Sequence, residues 1–299
     1  MIVVRFSLMI KFLSVEGITI RKIHVGDITE VVANLCQDAN YFLGADVLEG
    51  LRQACVRQES PTGRDILVQL LENADIAGNE QLPICQDTGF AVVFVELGQD
   101  VVLTGGDFYD AVNAGVRLGY REGYLRKSIV KHPLHRENTG DNTPAVIHVK
   151  IVPGDKIKLI LAPKGGGSEN MSAVKMLKPA DGIAGVKDFV VEVVRNAGPN
   201  ACPPVVVGVG IGGTMEKAAL LSKEALLREL GQAGGGPDIA QLEAELLEEI
   251  NRLGIGPQGL GGRITALAVH IETYPTHIAS LPVAVSLNCH VARHKEAIL

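Results

Sequence analysis

Pro83-Ile84-Cys85-Gln86-Asp87-Thr88-Gly89-Phe90-Ala91-Val92-Val93-Phe94-Val95-Glu96-Leu97 divides the chain in two. Its second half is a β-branched and aromatic run of strand type. Its first half sets a soft ligand, an amide and a carboxylate between Pro83 and Gly89, where the backbone turns and side chains converge on a ligand. Upstream, apolar residues recur at three- and four-residue spacing: Ile28, Val31, Val32, Leu35 and Cys36, then a second helix over about 45–58, then a third after Ser60-Pro61-Thr62. Asp27 is the expected cap of the first. Downstream, strands dominate. The expected fold class is α+β, a helical N-terminal region followed by mixed β-sheets with surrounding helices.

The strand run and Val101-Val102-Leu103 read as one hairpin, and 146–152 with 156–161 as a second, turning at Pro153-Gly154-Asp155. A helix fills about 107–125. The second hairpin leads into Lys164-Gly165-Gly166-Gly167-Ser168-Glu169-Asn170, a glycine loop at a helix head whose backbone amides suit an anion. Gly208, Gly210 and Gly213 formally spell a dinucleotide fingerprint. Two helices follow them instead of a helix and a strand ending in an acid, which argues against that use. No long linker or repeat is present, so residues 21–299 read as one domain. Residues 1–20 read as an N-terminal extension whose apolar run is too short to span a membrane and lacks a signal-cleavage site.

The 299 residues carry 28 basic and 34 acidic side chains, a formal charge of −6, with no basic stripe for nucleic acid or anionic lipid. Five cysteines without a close pair argue against a secreted disulfide framework and for the reduced thiols of a cytoplasm. Cys36 and Cys55 lie on helical apolar faces and read as small buried hydrophobes. Cys85, Cys202 in Asn200-Ala201-Cys202-Pro203-Pro204 and Cys289 in Leu287-Asn288-Cys289-His290 stand in turns or strand ends, and read as one metal centre. A closed zinc site normally draws on close ligand pairs, which are missing. Three isolated thiolates would hold a cubane cluster with one iron lacking a protein ligand, an open Lewis acid. A nucleophilic Cys85 activated by a histidine such as His277, or three structural cysteines, are the competing readings.

The four motifs at 83–89, 164–170, 201–213 and 286–290 together resemble the N-terminal half of class I fumarate hydratases, the iron-sulfur hydro-lyases that include L(+)-tartrate dehydratase. The resemblance implies that Cys85, Cys202 and Cys289 hold a 4Fe-4S cluster. It implies substrate contacts from Gln86 and Asp87, an acid/base role for Asp87, a carboxylate-binding Arg126, a glycine loop of Gly166 and Gly167, and an active-site histidine at His277. It further implies an α subunit, completed by a separate β subunit, that converts fumarate to L-malate. L(+)-tartrate dehydration is the near alternative, and a non-catalytic iron-sulfur electron-transfer or sensing protein the distant one. The expected partners are thus the β subunit and a small dicarboxylate, with no nucleic acid and no membrane.

Overall fold

A computed structural model describes residues 20–299; the extension expected over 1–20 lies outside the described residues except for Ile20. The short strand β1 (Arg21–His24) opens the fold and pairs in parallel with β3 (Val101–Thr104). Helix α1 (Val25–Tyr41) begins two residues before the expected cap, because the His24 ring nitrogen accepts from Gly26 N at 3.0 Å. Helices α2 (Ala45–Arg57) and α3 (Pro61–Glu80) follow; Ser60 caps α3 through Gly63 N, with Pro61 at the first helical position.

The first sheet contains β2 (Phe90–Gly98), β4 (Val146–Val152), β5 (Ile157–Lys164) and β10 (Lys295–Ile298). Its order is β10-β5-β2-β4. Alternate residues of β5, Ile157, Leu159 and Leu161, are fully buried under α1 and α4 (Phe108–Glu122), which Asp107 caps. Each contributes ~2 kcal/mol by leaving water. Neither expected hairpin forms. β2 inserts between β4 and β5, parallel to the first and antiparallel to the second, and β3 leaves to pair with β1.

The one-turn helix α5 (Gly166–Glu169) leads to β6 (Ala173–Leu177) and α6 (Gly182–Ala197). Then come β7 (Val205–Gly212), α7 (Met215–Ala225), α8 (Pro237–Asn251), β8 (Ala266–Tyr274) and β9 (Leu281–Asn288). The second sheet runs β6-β9-β7-β8. Period two sorts β7: Val205, Val207 and Val209 pack in the core with α6 and α8, while Val206, Gly208 and Gly210 face the opposite side. Among the described residues no helix is long and apolar enough to cross a membrane.

The fingerprint-like glycines serve packing. A Cβ on Gly210 would lie 2.0 Å from Ala218 O and 2.6 Å from Ser222 N, both backbone atoms of α7. Gly210→Ala is therefore expected to cost about 3 kcal/mol, because helix and strand must separate. A urea titration checks this, and a cost below ~1 kcal/mol would show that α7 yields freely.

His270 on β8 is 2% exposed, lies 3.2 Å from Ala225 O through Nδ1, and is driven by burial, with help from Arg228, to a pKa of about 4. Between pH 6.5 and about 4 the unfolded chain binds the proton that the folded chain refuses, so stability falls as pH falls. The gap corresponds to about 3 kcal/mol. His270→Asn, compared with wild type by denaturant titration at several pH values, should remove that share of the acid sensitivity.

Candidate active site

The turn before β2 is held from several directions. Ile84 N donates to Asn40 O at 2.9 Å, and Asn73 Nδ2 donates to Ile84 O at 2.9 Å. The fully buried Tyr120 hydroxyl stands 2.7 Å from Thr88 O and 3.0 Å from Gly89 O. Asn142 Nδ2 donates to Gly89 O at 3.1 Å. Gly89 has φ +72°, and a Cβ there would lie 2.7 Å from the backbone of Lys164, so the end of β5 passes directly against the turn.

That passage brings the glycine loop to Asp87. Gly166 N donates to Asp87 Oδ2 at 2.7 Å and Gly89 N to Oδ1 at 3.0 Å, so both carboxylate oxygens are held. The anion that Gly166 meets is thus a side chain of the same chain. Helix α5 begins at Gly166, and Gly165 stands in the cap position. Among the described residues Gly167 N has no acceptor, as expected in the first turn of a helix. Thr88 Oγ1 donates to Arg126 O at 2.8 Å, which fixes the Arg126 backbone beside the turn and leaves its side chain exposed. Gln86 is exposed, with Oε1 3.4 Å from the Cys85 sulfur.

The three turn cysteines are drawn together. Cys85 and Cys289 pack against the same apolar cluster, formed by α2, α3 and one face of the second sheet. Cys202 ends a tight 3-10 turn over Gly198–Ala201 and takes a left-handed φ of +52°, a conformation that costs a non-glycine residue about 1 kcal/mol. His290 N donates to Cys202 O at 3.2 Å, tying the second turn to the third. Arg293 Nη2 donates to Asp87 O at 2.6 Å across 206 positions, tying the third turn to the first. Burial raises the Cys202 thiol, and nearby Cys85 raises it further. Burial likewise raises Cys289; Arg293 opposes the rise, while Cys85 and Cys202 add to it.

The donor set bears on what it can hold. Among the described residues no three His, Cys, Asp or Glu side chains converge on a single metal ion. A mononuclear thiolate site would need sulfurs within ~4 Å of one another. Cys202 and Cys289 are each raised by neighbouring thiols although the three do not meet at one point, a spacing that a larger group held by three thiolates, such as a cubane, would fit.

His277 is not brought to these residues. β7 runs from the Cys202 end, where Val206 pairs with Asn288 next to Cys289, to the far end, where Gly212 pairs with Tyr274. His277 lies in the exposed turn beyond Tyr274, roughly 23 Å along the strands from the thiols. Its ring accepts locally from Ala279 N at 3.2 Å. Within one chain His277 therefore stands apart from Cys85, and the reading of a Cys85–His277 nucleophile fails on distance.

Sequence reasoning missed three neighbours of the thiols. His290 touches the Cys202 turn through its ring as well, with Nδ1 3.2 Å from Cys202 O and 3.1 Å from Gln258 Nε2. Lys164 is buried, 2.9 Å from Ser168 Oγ and 3.2 Å from Glu169, and burial drives it to about pKa 8 against the pull of Glu169. Arg293 is 5% exposed. An arginine in the apolar run after Asn-Cys-His was the one visible signal for it.

A fumarate hydratase (Fumerase) family model matches residues 29–298. The chain belongs to the fumarate hydratase family. It is accordingly a hydro-lyase chain. It is 45% identical over 272 residues to the Methanocaldococcus jannaschii protein named "Putative L(+)-tartrate dehydratase subunit alpha", covering 89% of this chain and 95% of that one. It is 36% identical over 272 residues to the L(+)-tartrate dehydratase subunit alpha of Escherichia coli strain K12, covering 90% and 89%. For this fumarate hydratase family member, the turns at 83–89, 164–170, 198–204 and 288–293 meet at the end of the second sheet where β7 begins and β9 ends.

Proposed function

We propose that this chain is the α subunit of a two-subunit iron-sulfur hydro-lyase that reversibly adds water to fumarate to give L-malate. The observation that carries the reading is the Asp87 carboxylate, held by Gly166 N and Gly89 N beside three thiols in mutual charge range. Cys85, Cys202 and Cys289 would hold a 4Fe-4S cluster. When bound, it supplies a Lewis-acidic iron for the hydroxyl and carboxylate oxygens of a dicarboxylate.

The chain's own groups do the rest. Removing a proton from a carbon next to a carboxylate shifts negative charge onto that carboxylate, and preformed donors there lower the barrier. Arg126, anchored through its carbonyl and free at its side chain, binds a carboxylate in fork geometry. Gly167 N is an unused donor one residue from the Asp87 contact. Gln86 offers its amide to the substrate. Asp87 takes and returns the proton on carbon. The opposite proton is assigned to the β subunit, whose existence the subunit names of the relatives support. Residues 21–299 act as one unit in this reading, since β10 returns to the first sheet after the last thiol. The five free cysteines support a cytoplasmic setting.

L(+)-tartrate dehydration is the second reading, favoured by the names of those same relatives. The two are separated by anaerobic reconstitution of the chain with iron, sulfide and its β subunit, followed by parallel assays. A higher kcat/KM for fumarate sustains the first reading, and a higher value for L(+)-tartrate transfers the assignment to the second. No turnover of either by a cluster-loaded complex overturns both.

A further inference from the structure

Arg293 is a buried cation. Its Nη2 donates to the Asp87 carbonyl, but Nε and Nη1 have no hydrogen-bond partner among the described residues. Among the described residues it makes no ion pair with a carboxylate. Asp87, whose carbonyl it meets, has its two carboxylate oxygens held by Gly166 N and Gly89 N, and Glu169 is shared by Lys164 and Lys223. Arg293, Lys164, Lys223 and Asn288 border one small cavity of about 20 Å³. That is room for about one water molecule. A water would satisfy a stray N–H and leave the charge unopposed. Burying an unopposed guanidinium costs several kcal/mol, so its retention points to an anion that completes the site.

The anion is indicated by the neighbours. Arg293 follows Cys289 by four residues and is bonded through the Asp87 carbonyl to the turn that carries Cys85. We propose that Arg293 is a positioning residue whose guanidinium neutralises the anionic iron-sulfur cluster while locking the Cys289 turn to the Asp87 turn. This rests on the cluster reading of the three cysteines. A cubane with three thiolates carries one negative charge in its resting state and two when reduced. A fixed cation beside it therefore favours the reduced form, and charge and hydrogen bonds to sulfur are the levers that set such potentials.

The test compares full-length wild type with Arg293→Lys, Arg293→Gln and Arg293→Met, each reconstituted anaerobically with iron and sulfide and titrated by EPR. The neutral variants should show a reduced-to-oxidised ratio about tenfold lower at fixed poise, equal to ~59 mV for one electron. Arg293→Lys, which keeps the charge, should stay within about threefold of wild type. Gln keeps a donor for the Asp87 carbonyl, so it separates loss of charge from loss of that bond and stands in for Met should Met fail to fold. Neutral variants that hold a full cluster and titrate with wild type overturn the proposal, and a lowered Tm alone assigns Arg293 a structural role. A wild-type chain that assembles no cluster overturns the cluster reading itself, a different result from an unchanged potential.

Discussion

Asp87→Asn is expected to lower kcat for fumarate hydration by 10²–10⁴-fold, the range associated with losing a positioned acid or base. Asp87 is suited to this measurement because its surroundings are defined. Gly166 N and Gly89 N each donate to one of its oxygens. Asparagine keeps one carbonyl oxygen and turns an NH2 group toward the other donor, so one of the two bonds is lost and the group no longer exchanges a proton. Iron content and the EPR spectrum should remain at wild-type levels, since Asp87 is not among the sulfur ligands. Steady-state kinetics on the cluster-loaded complex decide the matter: activity within a factor of ten of wild type would remove Asp87 from the acid/base role.

Cys202→Ala should abolish cluster binding, leaving neither a full iron complement nor the 3Fe-4S signal that brief air exposure draws from an open-site cubane, and with it all turnover. The backbone supplies an internal control. Cys202 sits at φ +52°, where alanine carries the same penalty as cysteine and glycine carries none. Cys202→Gly is therefore expected to be about 1 kcal/mol more stable than Cys202→Ala and equally devoid of cluster. Retention of a complete cluster by either variant would remove Cys202 from the ligand set.

Local patterns in the sequence were readable where one element decides its own form. Ser60 and Asp107 cap the helices that their positions announce, and the alternation in β5 matches its burial. What failed was pairing. Strands 146–152 and 157–164 are joined by a good turn, yet β2 lies between them, and nothing local in the turn records a third strand arriving from fifty residues upstream. The separation of His277 from the thiols within one chain has a related cause: it is a dozen residues from Cys289 in sequence, but β9 uses those residues to traverse the whole sheet. The fingerprint glycines carried a true signal, close backbone approach, with a helix of the same chain as the occupant. Arg293 was invisible because a buried unpaired cation is a fact about neighbours contributed by turns far apart in the chain.

The stitching of the three cysteine turns sets an order of events in time. The thiols are separated by intervals of about a hundred residues, so each junction closes a long loop and forms late, after both sheets exist to carry it. A zinc finger with close ligand pairs can gather its metal first and fold around it. Under the proposed cluster reading the nascent protein would assemble its scaffold without help from the cofactor, and iron loading would be a final maturation step on an already folded chain whose Cys202 is until then exposed to oxidants.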